Sequence, residues 1–303
     1  MFYLKRVVLE VDSDESFRGV SLDGEECGKT MKDWICFLQS LGIEVVRGRQ
    51  TGAVESGCEG KSQNGANQIE ANQIGTMWVT NDLAKAREYA KQKKPVLGLF
   101  DDHNLGQNVD GISYLAFDIE EAEVEYLEEA YRRQAGIPYD VLETERCLVR
   151  ETAREDAEAL YQIYAEPSAT AYMEELPKDR DAFCAWLEDY SKNVYGFLGY
   201  GIWTVCLKDG SVIGRAGLNL RGGFDDPELG YLIAKPWQGQ GIAYEVCSAI
   251  LEHAKTMGLT QVLAFAEPEN KASIGLLAKL GFERKQEINL DGKDCIEFSM
   301  ELT

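Results

Sequence analysis

The stretch Glu228-Leu-Gly-Tyr-Leu-Ile-Ala-Lys-Pro-Trp-Gln-Gly-Gln-Gly-Ile-Ala-Tyr-Glu245 changes its period halfway along. Leu229, Tyr231 and Ile233 alternate with Glu228, Gly230 and Leu232, the pattern of a half-buried strand. Pro236, which has no N–H to give a ladder, ends it. Gly239 and Gly241 follow, and from Ala243 the apolar positions Val246, Ile250, Leu251 and Ala254 recur at the spacing of one helix face. The stretch therefore reads as a strand, a glycine turn and a helix start. A helix start exposes about four N–H groups without intrahelical partners and a partial positive charge. Glycines let backbone approach a ligand closely, so this turn suits a phosphate or pyrophosphate, with an ordinary glycine loop as the competing reading.

Set in that strand-turn-helix context, Gln238-Gly-Gln-Gly-Ile-Ala243 resembles the Q/R-x-x-G-x-G/A signature of the GNAT family of acetyl-CoA-dependent N-acetyltransferases. Glu267-Pro-Glu-Asn270-Lys-Ala-Ser273, followed by Lys279-Leu-Gly-Phe282, is similar to the family's second signature. The resemblance spans residues 146–303 and implies a mixed αβα sheet with helices on both faces. The order of elements is consistent with it: a strand at Cys147–Arg150, helices over Arg154–Tyr164 and Arg180–Tyr190, an antiparallel pair turned at Asp209-Gly210, then a strand at Gln261–Ala266, a helix at Lys271–Leu280 and a last hairpin turned at Asp291-Gly292.

Acyl transfer to nitrogen needs a neutral amine, a polarised thioester carbonyl and a proton for the departing thiolate. The resemblance implies acetyl-CoA as cofactor and an amine acceptor, either a small molecule or a protein N-terminus. It further implies that the backbone of Leu232, Ile233 and Ala234 pairs with the pantetheine arm, that Gln238, Gly239, Gln240, Gly241, Ile242 and Ala243 hold the pyrophosphate, and that Asn270 binds the cofactor arm. Glu228 stands where many members place a carboxylate that accepts the amine proton, and a rim carboxylate beside Asp225-Asp226 is the competing reading. Ser273 corresponds to a serine of the RimJ/RimL type that could hydrogen-bond the thiolate, or it serves as a helix cap. Leu277 stands where many relatives carry an acidic tyrosine, and Phe265 where the RimI type has a glutamate. Tyr172, Met173, Glu174, Trp203 and Asn219 are acceptor-site candidates by position between the first two helices and the central strands, and core packing explains Trp203 equally well.

At 303 residues the chain suggests about two domains. A hydrophobic content of 45% and the absence of any apolar run near the ~18 residues of a membrane span fit a globular cytoplasmic protein without membrane contact. The eight cysteines form no C-x-x-C pair, and with only His103 and His253 present, metal sites and Ser-His-Asp or Cys-His hydrolase chemistry have little to build on. A net charge of -21 argues against nucleic-acid binding and fits a cationic acceptor, although an acidic surface also serves solubility alone. A homodimer is an open option for assembly.

Residues 1–140 read as a separate Rossmann-like α/β domain. Val7–Val11, the amphipathic stretch Met31–Leu41 stopped at Gly42, Ile43–Val46, Met77–Thr80, Leu83–Gln92 and Pro95–Phe100 alternate strand and helix character. Asp118 to Gln134 reads as a helix with Val124, Leu127 and Tyr131 on its inner stripe. Residues 48–75, polar and carrying the tandem Ala66-Asn-Gln-Ile-Glu70 and Ala71-Asn-Gln-Ile-Gly75, read as a mobile insertion. Asp12-Ser-Asp14 after the first strand loosely resembles the aspartate pair of haloacid-dehalogenase-like (HAD-like) phosphatases, with a carboxylate-rich turn as the better reading. Gly24 to Thr30 falls one residue short of a P-loop. Two alternatives thus stand beside an acetyltransferase: an acetyl-CoA sensor without turnover, and a phosphatase using Asp12 and Asp14.

Overall fold

In a computed structural model of the chain, the described residues are 3–11, 31–47, 75–101, 104, 106–117, 122–167, 171–172, 177, 179–290 and 292–302. The expected aspartate pair, the P-loop-like run, almost all of the insertion and Glu174 lie outside them. The chain divides into two compact units, Met1–Ile137 and Pro138–Thr303.

The first unit is built on a five-stranded parallel sheet in the order β2-β1-β3-β4-β5. Its strands are β1 (Arg6–Glu10), β2 (Glu44–Arg47), β3 (Thr76–Thr80), β4 (Val96–Leu99) and β5 (Leu115–Ala116). Helices α1 (Met31–Ser40), α2 (Leu83–Lys91) and α3 (Val124–Ala135) lie between and after them. β4 is buried at every position, as expected for a strand covered on both faces. The expectation of an α/β unit with a parallel sheet holds, in the order 2-1-3-4-5 rather than the 3-2-1-4-5 of a Rossmann-type sheet. α3 begins at Val124, the expected start at Asp118 lying outside the described residues, and Val124, Leu127 and Tyr131 face the core. Gly136, left-handed at φ 71, closes it.

The second unit carries an eight-stranded sheet in the order β12-β13-β11-β10-β9-β8-β7-β6. Its strands are β6 (Asp140–Glu143), β7 (Cys147–Arg150), β8 (Ile202–Leu207), β9 (Val212–Asn219), β10 (Glu228–Ile233), β11 (Gln261–Ala266), β12 (Glu283–Leu290) and β13 (Lys293–Glu301). β6 pairs with β7, so the sheet begins ahead of residue 146. α4 (Ala157–Tyr164) and α5 (Arg180–Tyr190) pack with Leu232 on one face, while α6 (Ile242–Thr256) and α7 (Lys271–Leu280) pack on the other against Val205, Ala216, Leu218, Leu229 and Ile233. A Cβ on Gly214 would lie 2.1 Å from the Leu232 carbonyl oxygen, and one on Gly217 2.0 Å from that of Gly201, so β8, β9 and β10 run together as closely as they do only because both positions are glycine. Among the described residues no helix is long and apolar enough to cross a membrane. None of their His, Cys, Asp and Glu side chains form a group of three able to hold a metal.

Candidate active site

Every neighbouring pair of strands in the larger sheet is antiparallel except β10 and β11, which run parallel and share a single register pair, Glu228 with Leu263. Beyond that pair the two strands part. Along β10 the Ala234 N–H bonds to the Ile213 carbonyl at 2.7 Å, and antiparallel alternation then turns the N–H and C=O groups of Tyr231 and Ile233 toward the side where β11 has left. Of the expected backbone positions, Ile233 lies on that side. Leu232 is a paired position against Arg215, and the Ala234 carbonyl accepts from Trp237 N–H, so neither residue has backbone groups facing the split. The backbone groups of Tyr231 and Ile233 face it instead.

At the end of the split lies the glycine turn. Gly239 and Gly241 are left-handed at φ 72 and φ 80, and Gly241 is the N-cap residue of α6 with no side chain capping the helix. No acceptor among the described residues takes the N–H groups of Gly239 through Tyr244. The carbonyls around the turn are treated differently: Gln238 Nε2 donates to Ile233 O at 2.8 Å, Gln240 Nε2 to Pro236 O at 2.8 Å, and Arg146 Nη1 to Gln240 O at 2.9 Å. Acceptors are tied back and donors left open, an arrangement that fits the pyrophosphate of acetyl-CoA. Among the sequence-derived candidates, Gln238 and Gln240 thus act on carbonyls through their side chains, while Gly239, Gly241, Ile242 and Ala243 offer N–H groups.

α7 begins on the far side of the split. Asn270 caps it, its Oδ1 accepting from Ser273 N–H at 3.1 Å, which leaves the amide nitrogen as the group able to meet a ligand carbonyl. Ser273 is therefore capped rather than capping. Its Oγ lies 2.7 Å from the Tyr231 hydroxyl, joining α7 to β10 beyond the point where the strands separate. Burial raises the Tyr231 phenol to about 12, with the Ser273 bond acting in the opposite sense, so the hydroxyl keeps its proton.

On the α4/α5 face, Glu228 sits opposite Asn219, and the next pair on that face is Gly230 opposite Gly217, with Ile202 of β8 beside it reaching its Cδ1 over Gly230. Glu228 Oε2 accepts from Arg221 Nε at 2.7 Å, both side chains being largely buried. Trp203 does not belong here. It is 1% exposed and on the opposite face, its ring stacked edge-on against His253 of α6, because its position along β8 points the side chain into that core. Burial lowers the His253 pKa, which keeps the imidazole neutral. Tyr172 is exposed. Arg221, Tyr231 and the Arg146–Glu245 pair carry no sequence motif and enter the site only through the fold.

Residues 146–283 match the family model described as "Acetyltransferase (GNAT) domain". The [ribosomal protein uS5]-alanine N-acetyltransferase of Escherichia coli (strain K12) is 29% identical over 163 residues, covering 50% of this chain and 82% of that protein. The L-methionine sulfoximine/L-methionine sulfone acetyltransferase of Pseudomonas aeruginosa is 28% identical over 141 residues, covering 45% of this chain and 79% of its own. Among solved structures, an acetyltransferase from Agrobacterium tumefaciens str. C58 is 27% identical with a TM-score of 0.45, covering 52% of this chain and 92% of that one.

Proposed function

We propose, from the premise that residues 146–283 are a GNAT acetyltransferase domain and the chain an acetyl-CoA-dependent N-acetyltransferase, that its acceptor is an α-amine met on the α4/α5 face beside Glu228 and Asn219. The observation that carries the cofactor half of this reading is the parting of β10 and β11 next to an uncapped helix start. When bound, acetyl-CoA supplies an activated acetyl thioester open to direct attack by an amine. The chain's own residues do the rest. Tyr231 and the Ile233 N–H offer backbone groups along the arm, the N–H groups from Gly239 to Ala243 and the start of α6 hold the pyrophosphate, and Asn270 donates its amide. The Ser273 hydroxyl, set by Tyr231, is the donor for the departing thiolate.

The acceptor half follows from Glu228. A side-chain ammonium with pKa ~10.4 is neutral in roughly one molecule per 2500 at pH 7, a deficit of about 4.6 kcal/mol, whereas an α-amine near 8 is neutral in about a tenth of molecules. Glu228, held by Arg221 beside this face, has little to do for an amine already partly neutral and far more for an ammonium. The two relatives' names agree, since alanine of ribosomal protein uS5 and L-methionine sulfone both present an amino-acid nitrogen. Thiol release from acetyl-CoA is the test, with an alanine-terminated peptide, L-methionine sulfone and a primary alkylamine as acceptors. Turnover of the α-amines at least about 100-fold above the alkylamine at pH 7 is expected. Preference for the alkylamine would overturn the acceptor assignment, and thiol release with none of the three would overturn the reading as a whole.

A further inference from the structure

We infer that Arg146 is a positioning residue that gives the phosphate-binding turn its polarity, although it lies about a hundred positions upstream of it. The inference rests on the cofactor reading above. Arg146 precedes β7 and reaches both α6 and the turn that opens it. Its backbone N–H donates to Glu245 Oε1 at 2.8 Å, its Nε to Glu245 Oε2 at 2.6 Å, and its Nη2 lies 2.6 Å from the same oxygen. That fork fixes the guanidinium plane. The remaining nitrogen, Nη1, is thereby aimed at the Gln240 carbonyl, between the two left-handed glycines, at 2.9 Å.

The consequence is electrostatic. Gln240 O is the carbonyl at the centre of the turn, and a peptide that flipped would turn this oxygen toward the phosphate and its N–H away. Glycines on both sides make such a flip easy. Arg146 holds the carbonyl outward and with it the orientation of the Gly241 N–H. Glu245 is the anchor. Burial alone would raise its pKa, but bonds from the Thr144 hydroxyl, the Arg146 N–H and the guanidinium outweigh this and hold the carboxyl below the usual range. Glu245 also closes the first turn of α6, its N–H donating to Gly241 O at 3.0 Å. The strand start, the turn and the helix start are thus one clamp.

Two ligands separate this role from bulk structure: CoA, which carries the pyrophosphate, and S-acetylpantetheine, which does not. Calorimetry on the full chain should show Arg146→Gln weakening CoA about 10- to 100-fold while S-acetylpantetheine binds as to wild type. Arg146→Lys keeps the charge and loses the fork, so it should fall close to Arg146→Gln. Glu245→Gln, with its carboxylate removed and Arg146 intact, should also weaken CoA at least about tenfold. Full CoA affinity in Arg146→Lys would make Arg146 a point charge and overturn the positioning role, as would unchanged affinity in Arg146→Gln. Parallel loss of both ligands with a collapsed melting transition would reduce the clamp to a structural tie and overturn it too. Wild-type protein that binds no CoA would instead refute the cofactor reading on which the inference stands.

Discussion

Gly241 offers the most direct test of where the cofactor binds, because the structure separates strain from space there. Its φ is 80 and its ψ 0, so any other residue would have to enter the left-handed region, at about 1–2 kcal/mol for an ordinary L-residue. Space is not the obstacle. An added Cβ would meet only Arg146 Nη2, at 3.7 Å, an ordinary contact. Gly241→Ala should therefore fold, with its melting temperature lowered by about 2–8 °C for a domain of this size. Gly241→Asn should fold with a smaller loss, since Asn tolerates the left-handed region. In both variants, however, a side chain grows from the N-cap of α6 among N–H groups that have no partner among the described residues. Each helix-terminus contact with an anion contributes roughly 0.3–2 kcal/mol, so the loss of one or two should weaken CoA about 10- to 100-fold. Isothermal calorimetry with CoA beside a thermal melt gives both numbers on one preparation. The pairing of the two variants is the essential control, because Asn relieves the strain without clearing the space. Wild-type CoA affinity in folded Gly241→Asn would show that the phosphates do not lie against this helix start.

Glu228→Gln should lower α-amine turnover by up to about tenfold and alkylamine turnover by about 100-fold or more near pH 7, with the deficit shrinking as pH rises; equal, pH-independent losses would make Glu228 a rim carboxylate. Gly217→Ala should cost well above 3 kcal/mol in urea denaturation, because its Cβ would lie 2.0 Å from a backbone oxygen that no side-chain rotation can move, and a loss under 1 kcal/mol would contradict the close packing of β8 on β9. Burial raises Tyr190 and Tyr231 from 10.0 to about 12, so between those values the unfolded chain gives up protons that the folded chain keeps, and stability should fall as pH rises through that window. Tyr231→Phe should flatten that decline by at most about 2–3 kcal/mol, and an unchanged slope in urea midpoints from pH 9.5 to 11.5 would refute the buried-phenol assignment.

What the sequence disclosed and what it hid divide along the range of the interactions concerned. β11 and α7 fall at Gln261–Ala266 and Lys271–Leu280 as the residue pattern places them, since alternation, an Asn cap and a left-handed Gly281 are all local signals. The inner face of α3 is legible for the same reason, since Val124, Leu127 and Tyr131 recur at helical spacing and all three are buried. The alternation along β8 puts Trp203 on one face or the other, yet which face receives α6 depends on topology, and so the side chain expected near the acceptor lies in the core instead. The same holds for the backbone. A β10 segment was legible from its period, whereas which of its residues turn their backbone groups toward β11 depends on its pairing with β9, which the Ala234–Ile213 bond fixes. Side-chain partnerships follow the rule most strongly: Tyr231 meets Ser273 across 42 positions and Arg146 meets Glu245 across 99, with no motif linking either pair. A signature of glycines marks where a phosphate can approach because backbone conformation is a local property, but the side chain that reaches the carbonyl between them is recruited by the fold: Arg146, just ahead of β7, lies 94 positions upstream of Gln240.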